Sequence, residues 1–200
     1  MWTPSRLGAD VEAMGIFGVN YGLGWTITDH RGNKEIGHNG SFINGYTATL
    51  TRFPNKHFAV VVLTNLNPTN VSWISYNIAG FYFPELKGIH QLKVGANADS
   101  SLKKKVYALL DGLANDNLDT SLVMTSFKQR INPITRLIFS NAGSKPLLSF
   151  IHSDLITHSL LRYGMPVKKI DYYSIRIGNE THYLAIYFTS NNKIADMRGY

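Results

Sequence analysis

Residues 34–65 are KEIGHNGSFINGYTATLTRFPNKHFAVVVLTN. Ala48 and Leu50 alternate with Thr47, Thr49 and Thr51, the period-two pattern of a half-buried strand. Pro54-Asn55-Lys56 supplies a turn, and Phe58 to Leu63 is an apolar run suited to a central strand. The anomaly lies at the head of this hairpin, where Gly37-His38-Asn39-Gly40 opens a strand with residues that weaken strands. Glycine in a strand marks a bend or a place where another backbone or a ligand comes close. A site is therefore expected at the His38-Asn39-Gly40 head of this strand.

Upstream, Tyr21 to Thr28 and Glu35 to Gly37 form further strands around the turn Asp29 to Asn33. Downstream, Val71, Ile74, Ile78, Phe81 and Tyr82 recur near helical spacing and stop before Pro84, which predicts a helix over Val71 to Phe83 covering the sheet. Residues 87–100 shift to small and polar types and divide the chain into 1–86 and 101–200. The second part opens with a helix, Ser101 to Leu113, whose stripe is Val106, Leu109, Leu110 and Leu113, with Ser101 as the N-cap candidate. Helices over Leu118 to Arg130 and Leu147 to Tyr163 are expected next. Three strands complete it: Lys168 to Ile177, Thr181 to Thr189 and Lys193 to Gly199, with turns at Gly178-Asn179 and Ser190 to Asn192. The fold class is α+β: a partial antiparallel sheet with a covering helix, then a small domain of helices packed on an antiparallel meander.

The 200 residues are 44% hydrophobic, enough for packed cores, and contain no cysteine, which excludes disulfides, thiolate metal sites and a cysteine nucleophile. No apolar run is long enough to span a membrane, and Met1 does not lead a signal segment. The net charge of +7 is uneven: residues 1–90 carry six Lys/Arg against five Asp/Glu, and residues 91–200 carry fourteen against eight. Lys103-Lys104-Lys105 is the densest cluster, without interleaved aromatic residues, so it is a solvated helix face and nucleic acid is not an expected partner.

MWTP at residues 1–4, YGLGW at 21–25, GHNG at 37–40, NGY at 44–46 and FPNKHFAVVVLTN at 53–65, in this order, resemble the C-terminal end of the serine β-lactamase and penicillin-binding-protein-like hydrolases, particularly the class C and esterase-like branch. The resemblance covers roughly residues 1–85 and implies acyl-enzyme chemistry on an amide, ester or β-lactam bond, with a small molecule or peptide as substrate and no cofactor or metal. It implies that His38-Asn39-Gly40 is the strand triplet of the family, in its H-x-G form. Gly40 would let substrate lie against the strand, the Ser41 N–H would join an oxyanion hole, and His38 would supply a hydrogen bond or charge.

Two other family motifs, S-x-x-K and Y-x-N, precede that strand, and the 37 residues before His38 contain neither. Ser101-Leu102-Lys103-Lys104 and Ser75-Tyr76-Asn77 match four- and three-letter patterns, but lie at a helix start and inside the covering helix. Residues 1–86 are thus expected to be the C-terminal segment of an incomplete β-lactamase-like domain, inactive alone, with an open sheet edge through which copies associate. The resemblance also implies a bacterial protein of the periplasm or cell surface.

LLRYGMPVKKIDYY, THYLAIYF and NKIADMRGY resemble the cystatin-like, or nuclear-transport-factor-2-like, α+β modules that follow such hydrolase domains. A non-catalytic ligand-binding or assembly role for that part is the alternative function. Asp154 and His158, four residues apart on the expected third helix, suit either a metal or pocket pair or a surface charge pair.

Overall fold

The computed structural model describes residues 1–7, 19–95, 99–129, 131, 147–157, 160–177 and 179–199. The chain divides into two compact units, Met1–Gln91 and Leu92–Tyr200, and both combine antiparallel sheet with few helices, the α+β class the sequence predicts.

In the first unit, β1 (Asn20–Tyr21), β2 (Thr26–His30), β3 (Asn33–Phe42), β4 (Tyr46–Phe53) and β5 (Phe58–Thr64) form one antiparallel meander in sequence order. The helix α1 (Val71–Tyr82) follows, capped by the Asn70 side chain, which accepts the Trp73 N–H at 3.0 Å. Strand periodicity sorts the residues into two faces. Thr47, Thr49, Thr51 and Phe53 of β4 pair with Thr64, Val62, Val60 and Phe58 of β5. This is the helix side, where Phe53, Val60, Val62, Val71, Ala79 and Leu86 make the core. The opposite face carries Phe42, Tyr46, Val61 and Leu63, which are 66%, 65%, 60% and 78% exposed. Among the described residues nothing covers them. The β3 strand runs farther than the sequence predicts, through His38 to Phe42, because β4 pairs with all of it.

In the second unit, α2 (Ser100–Ala114) lies on a four-stranded sheet of order β11-β10-β9-β6, formed by β6 (Leu147–Leu155), β9 (Lys169–Ile177), β10 (Glu180–Phe188) and β11 (Ile194–Gly199). Leu102, Val106, Leu109, Leu110 and Leu113 of α2 share a core with Leu148, Phe150, Tyr173, Ile175, Leu184, Ile186 and Phe188. The cap of α2 is Asp99, whose carboxylate accepts the N–H groups of Ser101 and Leu102 at 2.9 and 3.3 Å; Ser101, expected in that role, donates its hydroxyl to Asp99 instead.

Two helical expectations fail here. Leu147 to Leu155 is strand β6: Leu148 and Phe150 are buried in the α2 core, and a bulge between Phe150 and His152 breaks the alternation that would have marked a strand. The Tyr163-Gly164 pair, both at positive φ, is not a helix stop but the turn of a short hairpin, β7 (Leu161–Arg162) with β8 (Met165–Pro166). Of the helix expected over Leu118 to Arg130, whose last residue lies outside the described residues, only α3 (Thr125–Lys128) forms among the described ones. The preceding residues are drawn to the sheet instead: Val123 bridges Ile194 in parallel, and Met124 N–H donates to the Ile194 carbonyl at 2.8 Å. The turn residue Gly178 lies outside the described residues.

Candidate active site

The two neighbours of β3 do not reach equally far. Pairing with β2 ends at Thr26 opposite Gly37, whereas pairing with β4 continues to Phe42 opposite Tyr46. His38 to Phe42 therefore has a partner on one edge only, among the described residues. The direction of the backbone groups follows from two bonds. Gly37 carbonyl accepts the Thr26 hydroxyl at 2.7 Å, so it faces the β2 edge, and Phe42 carbonyl accepts the Gly45 N–H at 3.1 Å in the hairpin turn to β4. With a backbone period of two, the N–H groups of Asn39 and Ser41 point to the open edge.

The side chains divide by the same alternation. His38 and Gly40 lie on the uncovered face with Phe42, and an added Cβ at Gly40 would meet nothing within 4 Å. At Gly37 an added Cβ would come 2.8 Å from the Leu50 carbonyl oxygen. The two glycines of the motif thus answer different needs: Gly37 admits the neighbouring strand, and Gly40 leaves the surface clear. Asn39 turns to the helix side, where its Oδ1 accepts the Thr49 hydroxyl at 2.5 Å and its Nδ2 donates to Ser72 Oγ on α1 at 3.3 Å. Asn39 ties β3 to β4 and α1, and its amide is turned away from the face that carries His38. His38, Asn39, Gly40 and Ser41 are all exposed, and the structure brings them together on one continuous strand.

Sequence reasoning missed Tyr21. Its hydroxyl lies 3.3 Å from His38 Nε2, with the rings edge-on at 6.4 Å between centroids. Tyr21 was part of the YGLGW stretch, but nothing in that spacing specifies a contact 17 residues away. At the other end of β2, where it pairs with Asn33, His30 is buried, stacked on Tyr76 at 3.8 Å, with Nε2 donating to the Leu86 carbonyl at 2.9 Å. Burial lowers its pKa to about 4, so His30 is neutral at pH 7; the Leu86 carbonyl opposes that shift and the Arg31 charge adds to it. Tyr76 also donates to the Glu35 carboxylate at 3.1 and 3.2 Å, so its ring packs on β2 while its hydroxyl ties α1 to β3.

The other candidates part from the site. Ser75 is buried on α1 and Ser101 is spent on Asp99, so neither pattern match presents a nucleophile. Asp154 lies on β6 rather than a helix and accepts from His152 at 3.0 Å, and His158 lies outside the described residues. At Asp154 the helix expected to carry that pair is replaced by strand β6. Among the described residues no group of three or more His, Asp or Glu side chains could hold a metal ion. In the second unit Arg162 is buried over the Tyr187 ring at 4.3 Å, donates to the Tyr187 hydroxyl at 2.9 Å, and has its Nε 3.7 Å from Asp196 Oδ2. Arg198 approaches the same oxygen at 3.2 Å. Burial pushes the Asp196 carboxyl up against the opposing pull of both guanidinium groups, so this cluster fixes the β7–β8 hairpin to the sheet more than it stabilises the unit.

No helix of the described residues is long and apolar enough to cross a membrane. No curated protein and no solved structure matches the chain significantly. Residues 5–81 match the family model described as Beta-lactamase, and this match, which falls within the first unit, supports a serine β-lactamase-like hydrolase family for that part of the chain.

Proposed function

We propose that the first unit is the oxyanion-strand portion of a serine hydrolase that cleaves an amide, ester or β-lactam bond through an acyl-enzyme. The observation that carries this reading is the open edge of β3 from His38 to Phe42, with the Ser41 N–H directed outward and Gly40 leaving the adjoining face clear. An extended substrate can add to such an edge as a further strand, and an outward N–H is a suitable donor for a carbonyl oxygen that gains charge in the transition state. His38 borders the same edge and meets the substrate as a polar neighbour.

The nucleophile belongs to a segment bearing S-x-x-K, which the sequence lacks upstream of His38. This segment packs on the apolar face of Phe42, Tyr46, Val61 and Leu63, and without it the chain is inactive and self-associates through the open sheet edge. A longer product of the periplasm or cell surface follows from the same reading. The test is labelling with a serine-directed fluorophosphonate. The chain alone stays unlabelled, while an antibody against it detects in source cells a product about twice its size, as a hydrolase domain of roughly 250 residues completed upstream requires, and that product is labelled. Stoichiometric labelling of the isolated chain, or an unlabelled product of 22.4 kDa in cells, refutes it.

A further inference from the structure

We infer that Tyr21 is a positioning residue that fixes the tautomer of His38, so that β3 presents an Nδ1–H donor to its ligand rather than a base. The Tyr21 hydroxyl has no other hydrogen-bond partner among the described residues, and it lies 3.3 Å from Nε2. A neutral phenol is a strong O–H donor and a weak acceptor, whereas the unprotonated imidazole nitrogen is a strong acceptor. The favoured pairing is therefore Tyr21 O–H to Nε2, which leaves the ring proton on Nδ1. The edge-on contact at 6.4 Å, with the rings inclined by 68°, restrains the imidazole further. Tyr21 is itself held by the sheet: it pairs with Thr26, and its carbonyl accepts the Ser5 N–H at 2.9 Å.

The consequence for the ligand rests on the hydrolase reading. A neutral His38 with Nε2 occupied can only donate, so the group it meets is an acceptor: a carboxylate or carbonyl oxygen of the substrate, placed beside the outward Ser41 N–H. Proton abstraction from a nucleophile would need the nitrogen that Tyr21 holds, so general-base work falls to another residue.

The experiment is long-range ¹H–¹⁵N correlation of the histidine rings in the uniformly labelled full chain, at a pH where His38 is neutral, with His38→Gln to assign its signals. The expected result is protonated Nδ1 and unprotonated Nε2 at His38, moving in Tyr21→Phe toward the Nε2–H form that free histidine favours. An unchanged amide spectrum elsewhere shows that the variant is folded. An Nε2–H ring in the natural chain, which needs no variant to observe, overturns the inference, as does a tautomer unmoved by Tyr21→Phe. The measurement does not involve turnover. If the product detected in source cells is not labelled by the fluorophosphonate and the Nδ1–H form is seen, the hydrolase reading falls and the Tyr21 assignment stands.

Discussion

Acidification should loosen the first unit through His30, and the size of the effect can be worked from its burial. In the unfolded chain this ring titrates at the ordinary 6.5, and in the folded unit at about 4. Between those values the unfolded chain binds a proton that the folded unit does not, so stability rises with pH across the window. The contribution is complete above 6.5 and is lost as the pH falls toward 4. Two and a half units correspond to about 3 kcal/mol, of which between 2 and 3 is lost already at about pH 4.5. The assay is favourable because Trp2, Trp25 and Trp73, the three tryptophans of the chain, all lie in the first unit, so their fluorescence during urea unfolding reports that unit alone. The natural chain is compared with His30→Gln, whose amide can still donate to the Leu86 carbonyl but does not titrate. Its deficit at about pH 7.5 should shrink by 2 to 3 kcal/mol at about pH 4.5. Carboxylates common to both proteins cancel in the difference. Parallel pH profiles, within the error of urea extrapolation, would refute the claim that His30 is buried neutral.

Gly37→Ala should cost the first unit about 2 kcal/mol or more, since its Cβ would press on the Leu50 carbonyl, and a tryptophan-detected midpoint unchanged in urea would show that the strands are not so close. Asp99→Ala should lower the melting temperature of the second unit by uncapping α2, read from thermal melts by circular dichroism; Asp99→Ser should recover most of the loss. The isolated chain should self-associate in light scattering, and Val61→Thr with Leu63→Lys on the edge strand β5 should shift it toward monomer; a natural chain monomeric at all concentrations contradicts the proposed association through the sheet edge.

The legible parts of the fold are those in which one period dominates. Threonines 47, 49 and 51 against Ala48 and Leu50 fixed β4, and the Val106, Leu109, Leu110, Leu113 stripe fixed α2, because in each case one face is buried and the other is not. Leu147 to Leu155 defeated the same reasoning because a bulge puts two residues where the pattern allows one, and Phe150 and Ile151 are both buried. Residues 118–124 have helix-compatible composition, but pairing with Ile194 is a tertiary event that no local pattern encodes. In the candidate site, the sequence places His38 to Gly40 at the head of a strand, while the contacts from Tyr21, Thr49 and Ser72 are not legible, since each reaches that strand across the sheet or from the helix.

The glycines at the head of β3 carry the same lesson at the scale of a single strand. A strand that merely filled a core would have no use for them, since each forfeits packing and adds unfolded-state entropy. Gly37 is explained by structure alone: it sits inside the sheet, and the neighbouring backbone occupies the space of its missing side chain. Gly40 has no such explanation, because the space beside it is empty and any L residue would fit there. A residue that weakens its strand without relieving a clash is accounted for by something that comes to lie against it. Gly40→Ala therefore separates the two cases: it should leave the urea midpoint of the first unit unchanged or slightly raised, by at most about 1 kcal/mol. Under the proposed hydrolase reading it should also slow acylation in the fluorophosphonate-labelled product. A loss of stability comparable to that of Gly37→Ala would make Gly40 a packing residue and remove the best reason to place a substrate on this strand.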